Sequence, residues 1–170
     1  MQHLPARSFP ESVLAFGSWN LNPGQKSGDW HQETIAVDTV GRETRELTGL
    51  IDQLVARSDV QTGLCHICLQ HTSASLLLSA NADPVVQVDL EHLMQRIIRD
   101  GDPVYRHASE GPDDMSAHLR SVLTGSLLTL PVVEYWLGLG VWQGGYLWEH
   151  RYQGRKRCLV LTIQDEIRAL

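Results

Sequence analysis

The sequence predicts an α+β fold with a largely antiparallel sheet and a few helices. Apolar residues recur with helical spacing in three segments, and short apolar runs typical of buried strands lie between them. Glycine and proline divide the last third of the chain at short intervals, as in consecutive strands. A length of 170 residues, 42% of them hydrophobic, fits one compact domain with a buried core. Strands interrupted by helices and followed by a run of strands are typical of the α+β class.

The first half of the chain divides into an arm and the start of the domain. Residues 1–29 lack a steady period and contain several prolines and glycines, which predicts an irregular N-terminal arm before a single domain over 30–170. Residues 31–39 are predicted as a strand. Residues 43–57 are predicted as a helix with a one-sided apolar stripe of Leu47, Leu50, Ile51, Leu54 and Val55.

The middle of the chain predicts two buried strands and a second helix. The strands span 62–70 and 72–79, and both end in polar residues. Asp83 is then predicted to cap a helix with Pro84 at its first position, ending near 100–103. Its predicted buried stripe consists of Val86, Leu90, Leu93, Met94 and Ile97.

The last third predicts a short helix and a meander. Asp113 and Asp114 can cap a helix that ends at Gly125, and its predicted buried face is Met115, Leu119, Val122 and Leu123. Residues 126–163 are predicted as four consecutive strands.

Charge and composition exclude several functional classes. The formal net charge of −6 argues against a general nucleic-acid binder or a protein that binds anionic membranes. The stretch 60–82, the longest without Asp, Glu, Lys or Arg, contains polar side chains that would be costly in a membrane, namely Gln61, His66, Gln70, His71 and Asn81. No basic region followed by an apolar run opens the chain, so we expect a soluble, cytoplasmic protein. The eight histidines are unusual, because their protonation would move the net charge from −6 to +2.

Three cysteines are an odd number and too few to form a disulfide scaffold, so we predict none. Cys65 and Cys68 have the spacing of a metal or redox pair. On a strand, however, residues three apart point to opposite faces. We therefore expect both to be structural and buried.

One constellation favours chemistry more strongly than any other. His107 and His118 bracket three carboxylates, Glu110, Asp113 and Asp114. Asp114 and His118 are four residues apart and so lie on one face of the predicted helix. His107 can fold back to the same helix N-terminus, which also favours anions. The alternative is an N-terminal cap with surface histidines.

Two further segments carry polar side chains beside apolar strands. Residues 71–75 combine an imidazole with three hydroxyls, a suitable lining for an anion or a metal-bound ligand, or else a polar strand end with a satisfied histidine. Strand alternation puts Glu149 and Arg151 on one face and His150 on the other. An ion pair that stabilises a sheet is the simpler interpretation of Glu149 and Arg151.

These motifs together resemble the YjbQ family, also named secondary thiamine-phosphate synthase. Order and spacing agree over about residues 30–165, with Val141 and Gly145 as mild departures. The matching runs are His71-Thr72-Ser73-Ala74-Ser75-Leu76, Asn81-x-Asp83-Pro84 with Asp89-Leu90, Glu110-Gly111-x-Asp113-Asp114-Met115-x-x-His118, Gly125-x-x-Leu128 with Pro131, Gly140-x-Trp142-Gln143-Gly144, and Glu149-His150-Arg151.

The resemblance implies a homotrimer and a metal site on His71, His107 and His118. Three neutral imidazoles with an open fourth position suit zinc or a similar divalent ion. The implied activity, weak and secondary, joins a pyrimidine-methyl diphosphate to a thiazole phosphate, for which Mg²⁺ would suit the leaving pyrophosphate. Candidate catalytic carboxylates are then Glu110, Asp114 and Asp89. Candidate substrate-binding residues are Ser73, Ser75, Asn81, Gln143 and Arg151.

Two alternatives use the same groups. The first is a metal-assisted hydrolase of a phosphorylated small molecule, and the second is a non-catalytic protein that binds a metal or a metabolite. The sequence offers few clustered basic residues to neutralise pyrophosphate, which argues against efficient synthase activity.

Overall fold

The computed structural model describes residues 13–16 and 30–165, which form three helices and nine strands. The predicted α+β class is confirmed. The helices are α1 Thr48–Arg57, α2 Val85–Ile97 and α3 Asp114–Thr124. The strands are β1 Val13–Phe16, β2 Trp30–Asp38, β3 Glu43–Glu46, β4 Thr62–Leu69, β5 Ala74–Ala80, β6 Leu127–Val133, β7 Trp136–Leu137, β8 Gln143–Glu149 and β9 Lys156–Asp165.

The strands form two antiparallel sheets. The larger has the order β1-β2-β9-β4-β6-β7, and the smaller has the order β3-β8-β5. The core lies between the inner face of the larger sheet, α1 and one face of the smaller sheet. It contains Ile67 and Leu161 of the larger sheet, Ile51 of α1, and Leu76 and Leu147 of the smaller sheet. The other face of the smaller sheet is turned towards α2 and α3, and the candidate site lies on that side.

Three predicted segments differ from the structure. The helix predicted over 43–57 begins only at Thr48, because residues 43–46 pair with β8 as strand β3. The last third does contain four strands, but they do not form a meander. Strand β8 lies in the smaller sheet, and β9 lies between β2 and β4. Within the arm predicted as irregular, residues 13–16 form a strand that pairs with β2, and the rest of the arm lies outside the described residues.

The apolar stripe predicted on α2 is not buried. This helix has no buried residue, and Leu93 and Ile97 are more than half exposed. Its N-cap position is Pro84, one residue later than predicted, although the Asp83 carboxylate does accept a hydrogen bond of 2.9 Å from the Val85 N–H. Val86, Leu90 and Met94 of the predicted stripe are partly buried, and polar contacts of Gln87 and Glu91 also join α2 to the smaller sheet.

Helix α3 buries a different face from the one predicted. Val122 and Leu123 are 82% and 64% exposed. The buried residues of α3 are Asp114, Ser116, Ala117, Arg120 and Ser121. Ser121 shows why: its hydroxyl donates a 2.7 Å hydrogen bond to the Ala74 carbonyl, so α3 packs on the smaller sheet through polar groups.

Cys65 and Cys68 point to opposite faces of β4, as predicted. Cys65 is buried, and burial, with a contribution from Asp52, raises the pKa of its thiol to about 12. Cys68 is exposed, so the expectation that it is buried was wrong. The cause is that β4 faces the core on one side only.

Among the described helices, none combines the length and the apolar character needed to cross a membrane.

Candidate metal centre

The first turn of α3 brings together two histidines and one carboxylate. The Nε2 atom of His107 lies 2.7 Å from Oδ2 of Asp114, and the Nε2 atom of His118 lies 3.6 Å from the same oxygen. One potential ligand atom of each residue lies within 4.8 Å of the others. The predicted neighbourhood of Asp114 and His118, and the folding back of His107, are confirmed.

A backbone carbonyl fixes the orientation of His118. Its Nδ1 atom lies 2.9 Å from the carbonyl oxygen of Thr72. Because a carbonyl can only accept, Nδ1 must carry the proton, and in the neutral ring Nε2 then presents a lone pair. That lone pair lies on the side of Asp114. This is the tautomer that a metal ligand requires, and hydrogen bonds from the other ring nitrogen are the usual way to select it.

A buried arginine holds Asp114 from the opposite side. The Nη1 group of Arg151 donates to Oδ1 of Asp114, and its Nε–H donates to Oδ2 of Asp113 over 3.1 Å. The Nη2 group donates to the backbone carbonyl of Glu110 over 2.8 Å. Arg151 is itself held by its backbone N–H, which donates to the Glu149 carboxylate. The guanidinium therefore fixes the side chain of Asp114 while leaving its second oxygen to the histidines.

The surroundings of this second oxygen, Oδ2 of Asp114, test whether a metal ion fits the site. Oδ2 of Asp114 is buried and makes no well-aligned hydrogen bond, but His107 Nε2 approaches it to 2.7 Å. A buried carboxylate oxygen is stable only with a donor or a cation beside it. Two imidazoles and a carboxylate are a ligand set found for catalytic zinc. The side chain of His107 is about half exposed, so further coordination positions would be open to solvent. The residues fit a divalent ion.

His71, implied as the third ligand by the resemblance, is not part of this group. Its Nε2 atom accepts a 2.8 Å hydrogen bond from the Cys158 N–H, so in the neutral ring Nδ1 carries the proton. Burial, followed by the charge of Arg157, lowers the pKa of His71 and favours that neutral form. In this state neither ring nitrogen offers a lone pair to a metal.

The predicted substrate-binding residues lie in different parts of the molecule, and most are engaged within it. Ser73 accepts a hydrogen bond from Arg157, and the fully buried Ser75 lies 2.8 Å from Nε2 of His150. Asn81 donates to the backbone of Gln143, beside α2 rather than α3. Of this set, only Arg151 contacts the histidine–aspartate group.

The other two carboxylates that were predicted as catalytic, Glu110 and Asp89, lie outside the histidine–aspartate group. Glu110 is 65% exposed, and its carboxylate lies 4.0 Å from Arg151, at the edge of the site. Asp89 lies exposed on α2, and it is not a member of the group that could hold a metal.

Sequence reasoning missed two contributors to the site, Thr72 and Asp100, and assigned Asp113 only part of its role. Thr72 acts through its backbone, so no side-chain pattern could reveal it. Asp113 was assigned as a helix cap, yet its carboxylate accepts from Arg151 and from the Tyr152 N–H. Asp100 joins α3 to the sheet by accepting hydrogen bonds from Arg42, Ser116 and Tyr152. Burial alone would raise the pKa of the Asp100 carboxyl, but these donors outweigh it and lower the pKa to about 2.

Comparisons with known proteins match this domain as a whole. The family model described as UPF0047 protein YjbQ-like matches residues 33–166. The UPF0047 protein YjbQ of Salmonella typhimurium is 42% identical over 138 residues, which cover 81% of this chain and 99% of that protein. The UPF0047 protein sll1880 of Synechocystis is 41% identical over 137 residues, covering 81% of this chain and 93% of that protein.

A solved structure agrees with the fold. An uncharacterized conserved protein of the YjbQ/UPF0047 family from Clostridium acetobutylicum aligns with a TM-score of 0.70 and 27% identity, covering 76% of this chain and 98% of that one. The names of these relatives state no enzymatic activity. With the family model spanning most of the chain and relatives above 40% identity, this protein belongs to the UPF0047 YjbQ-like family.

Proposed function

We propose that the protein binds a divalent metal ion, zinc in the first instance, through His107, Asp114 and His118, and acts on a phosphorylated small molecule. The observation that carries the metal proposal is the buried Oδ2 of Asp114 lying between the Nε2 atoms of two imidazoles, one of them held in the ligand tautomer. A metal with open positions polarises a phosphoryl oxygen or activates a bound water.

The chain's own residues have distinct roles in this proposal. His118 and His107 each offer Nε2, and Asp114 offers Oδ2. Arg151 is a positioning residue, because it holds Oδ1 of Asp114 and touches no open part of the site. Glu110 is exposed at the edge, where its carboxylate could take up or release a proton to solvent.

Metal binding by histidine variants tests the proposal. Stripped protein titrated with Zn²⁺ against a competing chelator should bind one equivalent. His118→Ala and His107→Ala should each lose more than about a hundredfold in affinity, because changes outside the ligands already cost about 10–100-fold. His71→Ala should bind as the wild type does, with exposed His92→Ala as the matched control. Equal zinc affinity in all four variants would contradict the assignment.

For the reaction, we propose thiamine-phosphate formation as a weak activity of the same site. The resemblance supports it, while the site supplies little positive charge for a leaving pyrophosphate: Arg151 is already bonded to Asp113 and Asp114. Pyrophosphate release from the two precursors with Mg²⁺ should be slow and absent in His118→Ala. Turnover of a phosphoester panel, but not of the thiamine precursors, would favour the metal-assisted hydrolase, and metal binding without any turnover would favour the binding protein.

We also propose a homotrimer, in which α2 is covered by a neighbouring copy. Val85, Val88, Leu93 and Ile97 are all at least half exposed, which is unusual for four large apolar side chains on one helix. Light scattering after size exclusion should give the mass of three 19.0 kDa chains. Leu93→Glu should give monomers, whereas Arg99→Glu, at an exposed position just beyond α2, should remain trimeric. A monomeric wild type would contradict the proposal.

A further inference from the structure

One of the three candidate metal ligands is carried by a loop, whereas the other two lie on a helix. Asp114 and His118 belong to the first two turns of α3, and the guanidinium of Arg151 fixes the Asp114 side chain. His107 instead lies in the connection between α2 and α3, within residues 101–112. The centre therefore has a fixed half on the helix and a third ligand whose position depends on this loop.

The two ends of the 101–112 loop are joined to each other. The Gly101 N–H donates a 2.8 Å hydrogen bond to the carbonyl of Pro112. Gly101 and Gly111 have φ values of 63° and 109°, which glycine adopts at little cost. A segment of this length whose ends meet is an Ω-loop. Glycine at both ends gives the residues between them two points of backbone freedom, while the ends stay together.

The tip of the loop, residues 106–109, has few polar contacts. All four residues are exposed, and among the described residues their polar contact with the rest of the chain is the approach of His107 Nε2 to Asp114. The His107 ring also lies 5.6 Å from the ring of His118. Because the His107 side chain is half exposed, water competes with its ion pair, and such pairs stabilise a conformation only weakly.

The loop is anchored on both sides of this tip. The Tyr105 N–H donates to the Asp102 carbonyl over 3.0 Å, and the Glu110 carbonyl accepts from Arg151 over 2.8 Å. Segments with few buried contacts open at a lower free-energy cost than the rest of a fold. Opening is therefore expected at residues 106–109, and it moves His107 away from Asp114 and His118.

From these observations we propose that the 101–112 loop is a lid that the metal ion closes. A divalent ion held by Asp114 and His118 draws Nε2 of His107 into coordination, and this bond fastens the tip of the loop to the start of α3. Without the ion the tip opens and exposes the two helical ligands. The inference rests on the proposed metal site, and it adds that His107 binds the ion last and releases it first.

Trypsin tests the lid directly, because Arg106 lies at the exposed tip beside His107. Cleavage after Arg106 in the stripped full chain is followed by mass spectrometry. It should slow by about tenfold or more when one equivalent of Zn²⁺ is bound, because cleavage follows the population of the opened loop. Cleavage after Arg155, exposed between β8 and β9, should not change and reports the activity of trypsin itself.

His107→Ala separates the lid from the ion. This variant removes the ligand on the loop and keeps both helical ligands, and its half-exposed position makes it compatible with the fold. Arg106 should then be cut as fast as in the stripped wild type, with or without Zn²⁺. His92→Ala, which removes an exposed histidine of α2, is the matched control and should keep the full protection by Zn²⁺.

Zinc binding is measured on the same samples by competition with a chelator, so that two kinds of failure are distinguished. If Zn²⁺ binds the wild type but Arg106 is cut equally fast, the lid is overturned and the metal site stands. Equal protection of His107→Ala and the wild type also overturns the lid. If Zn²⁺ does not bind the wild type, the metal site and the lid are both overturned.

Discussion

Replacing Arg151 by methionine is expected to lower the free energy of unfolding at pH 7 by about 3–5 kcal/mol. The guanidinium is 6% exposed and contacts the buried carboxylates of Asp113 and Asp114. Methionine keeps the length and apolar stem but leaves both negative charges buried without a counterion, and that is the most costly way to break a buried ion pair. Urea denaturation followed by circular dichroism measures the difference.

A matched control makes this result specific to the buried charges. Arg155→Met removes an exposed arginine four residues away and should change stability by less than about 0.5 kcal/mol. A deficit in Arg151→Met below about 1 kcal/mol, or one no larger than that of Arg155→Met, would show that Arg151 does not neutralise these carboxylates.

The second large effect is a loss of stability in mild acid caused by His150. This histidine is fully buried, and burial, followed by the positive charges of Arg120, Arg42 and Arg157, lowers its pKa to about 3. The unfolded chain takes up a proton near the ordinary histidine pKa of about 6.5, whereas the folded chain does not until about pH 3. Stability from this residue is therefore complete above about pH 6.5 and decreases as the pH falls towards 3.

The expected slope is about 1.4 kcal/mol per pH unit below pH 6.5, or about 2 kcal/mol lost by pH 5. Urea denaturation at intervals from pH 7.5 to pH 4.5 measures it. In His150→Gln this part of the slope should disappear, even if the variant is less stable at pH 7. The exposed His92→Gln should keep the slope. An unchanged slope in His150→Gln would contradict the account of a neutral, buried His150.

The sequence predicted elements well where the buried face is apolar and poorly where it is polar. In α1, the stripe containing Ile51, Leu54 and Val55 is buried as predicted. In α3, apolar periodicity predicted that Val122 and Leu123 are buried, whereas the helix buries Arg120 and other polar residues. A prediction from apolar periodicity assumes that apolar residues face the interior. That assumption fails where a helix packs on a sheet through ion pairs and through hydrogen bonds from hydroxyl groups.

Strand β3 shows a second limit. Its sequence, Glu43 to Glu46, has no apolar residue and no β-branched alternation beyond one threonine. Its conformation is set by backbone pairing with β8, a partner about a hundred residues away. Local pattern therefore favoured a helix that begins too early.

For the candidate site, the spacing of residues along the chain predicted which side chains are neighbours on one helix. It did not predict the contacts between distant segments. The four-residue spacing of Asp114 and His118 correctly placed both on one face. The engagement of His71 by the Cys158 backbone, and the clamp of Arg151 on Asp113, join segments dozens of residues apart that no spacing rule connects. The family resemblance implied three histidines as ligands, whereas the structure groups two histidines with a carboxylate.

Anomalous diffraction from crystals of the zinc-loaded protein, measured on both sides of the zinc absorption edge, shows directly where the metal binds. We expect one strong anomalous peak per chain, at about 2.0–2.2 Å from Nε2 of His107, Nε2 of His118 and Oδ2 of Asp114, the usual zinc–ligand distances. A peak bonded to His71 without Asp114, or no peak at the start of α3, would contradict it.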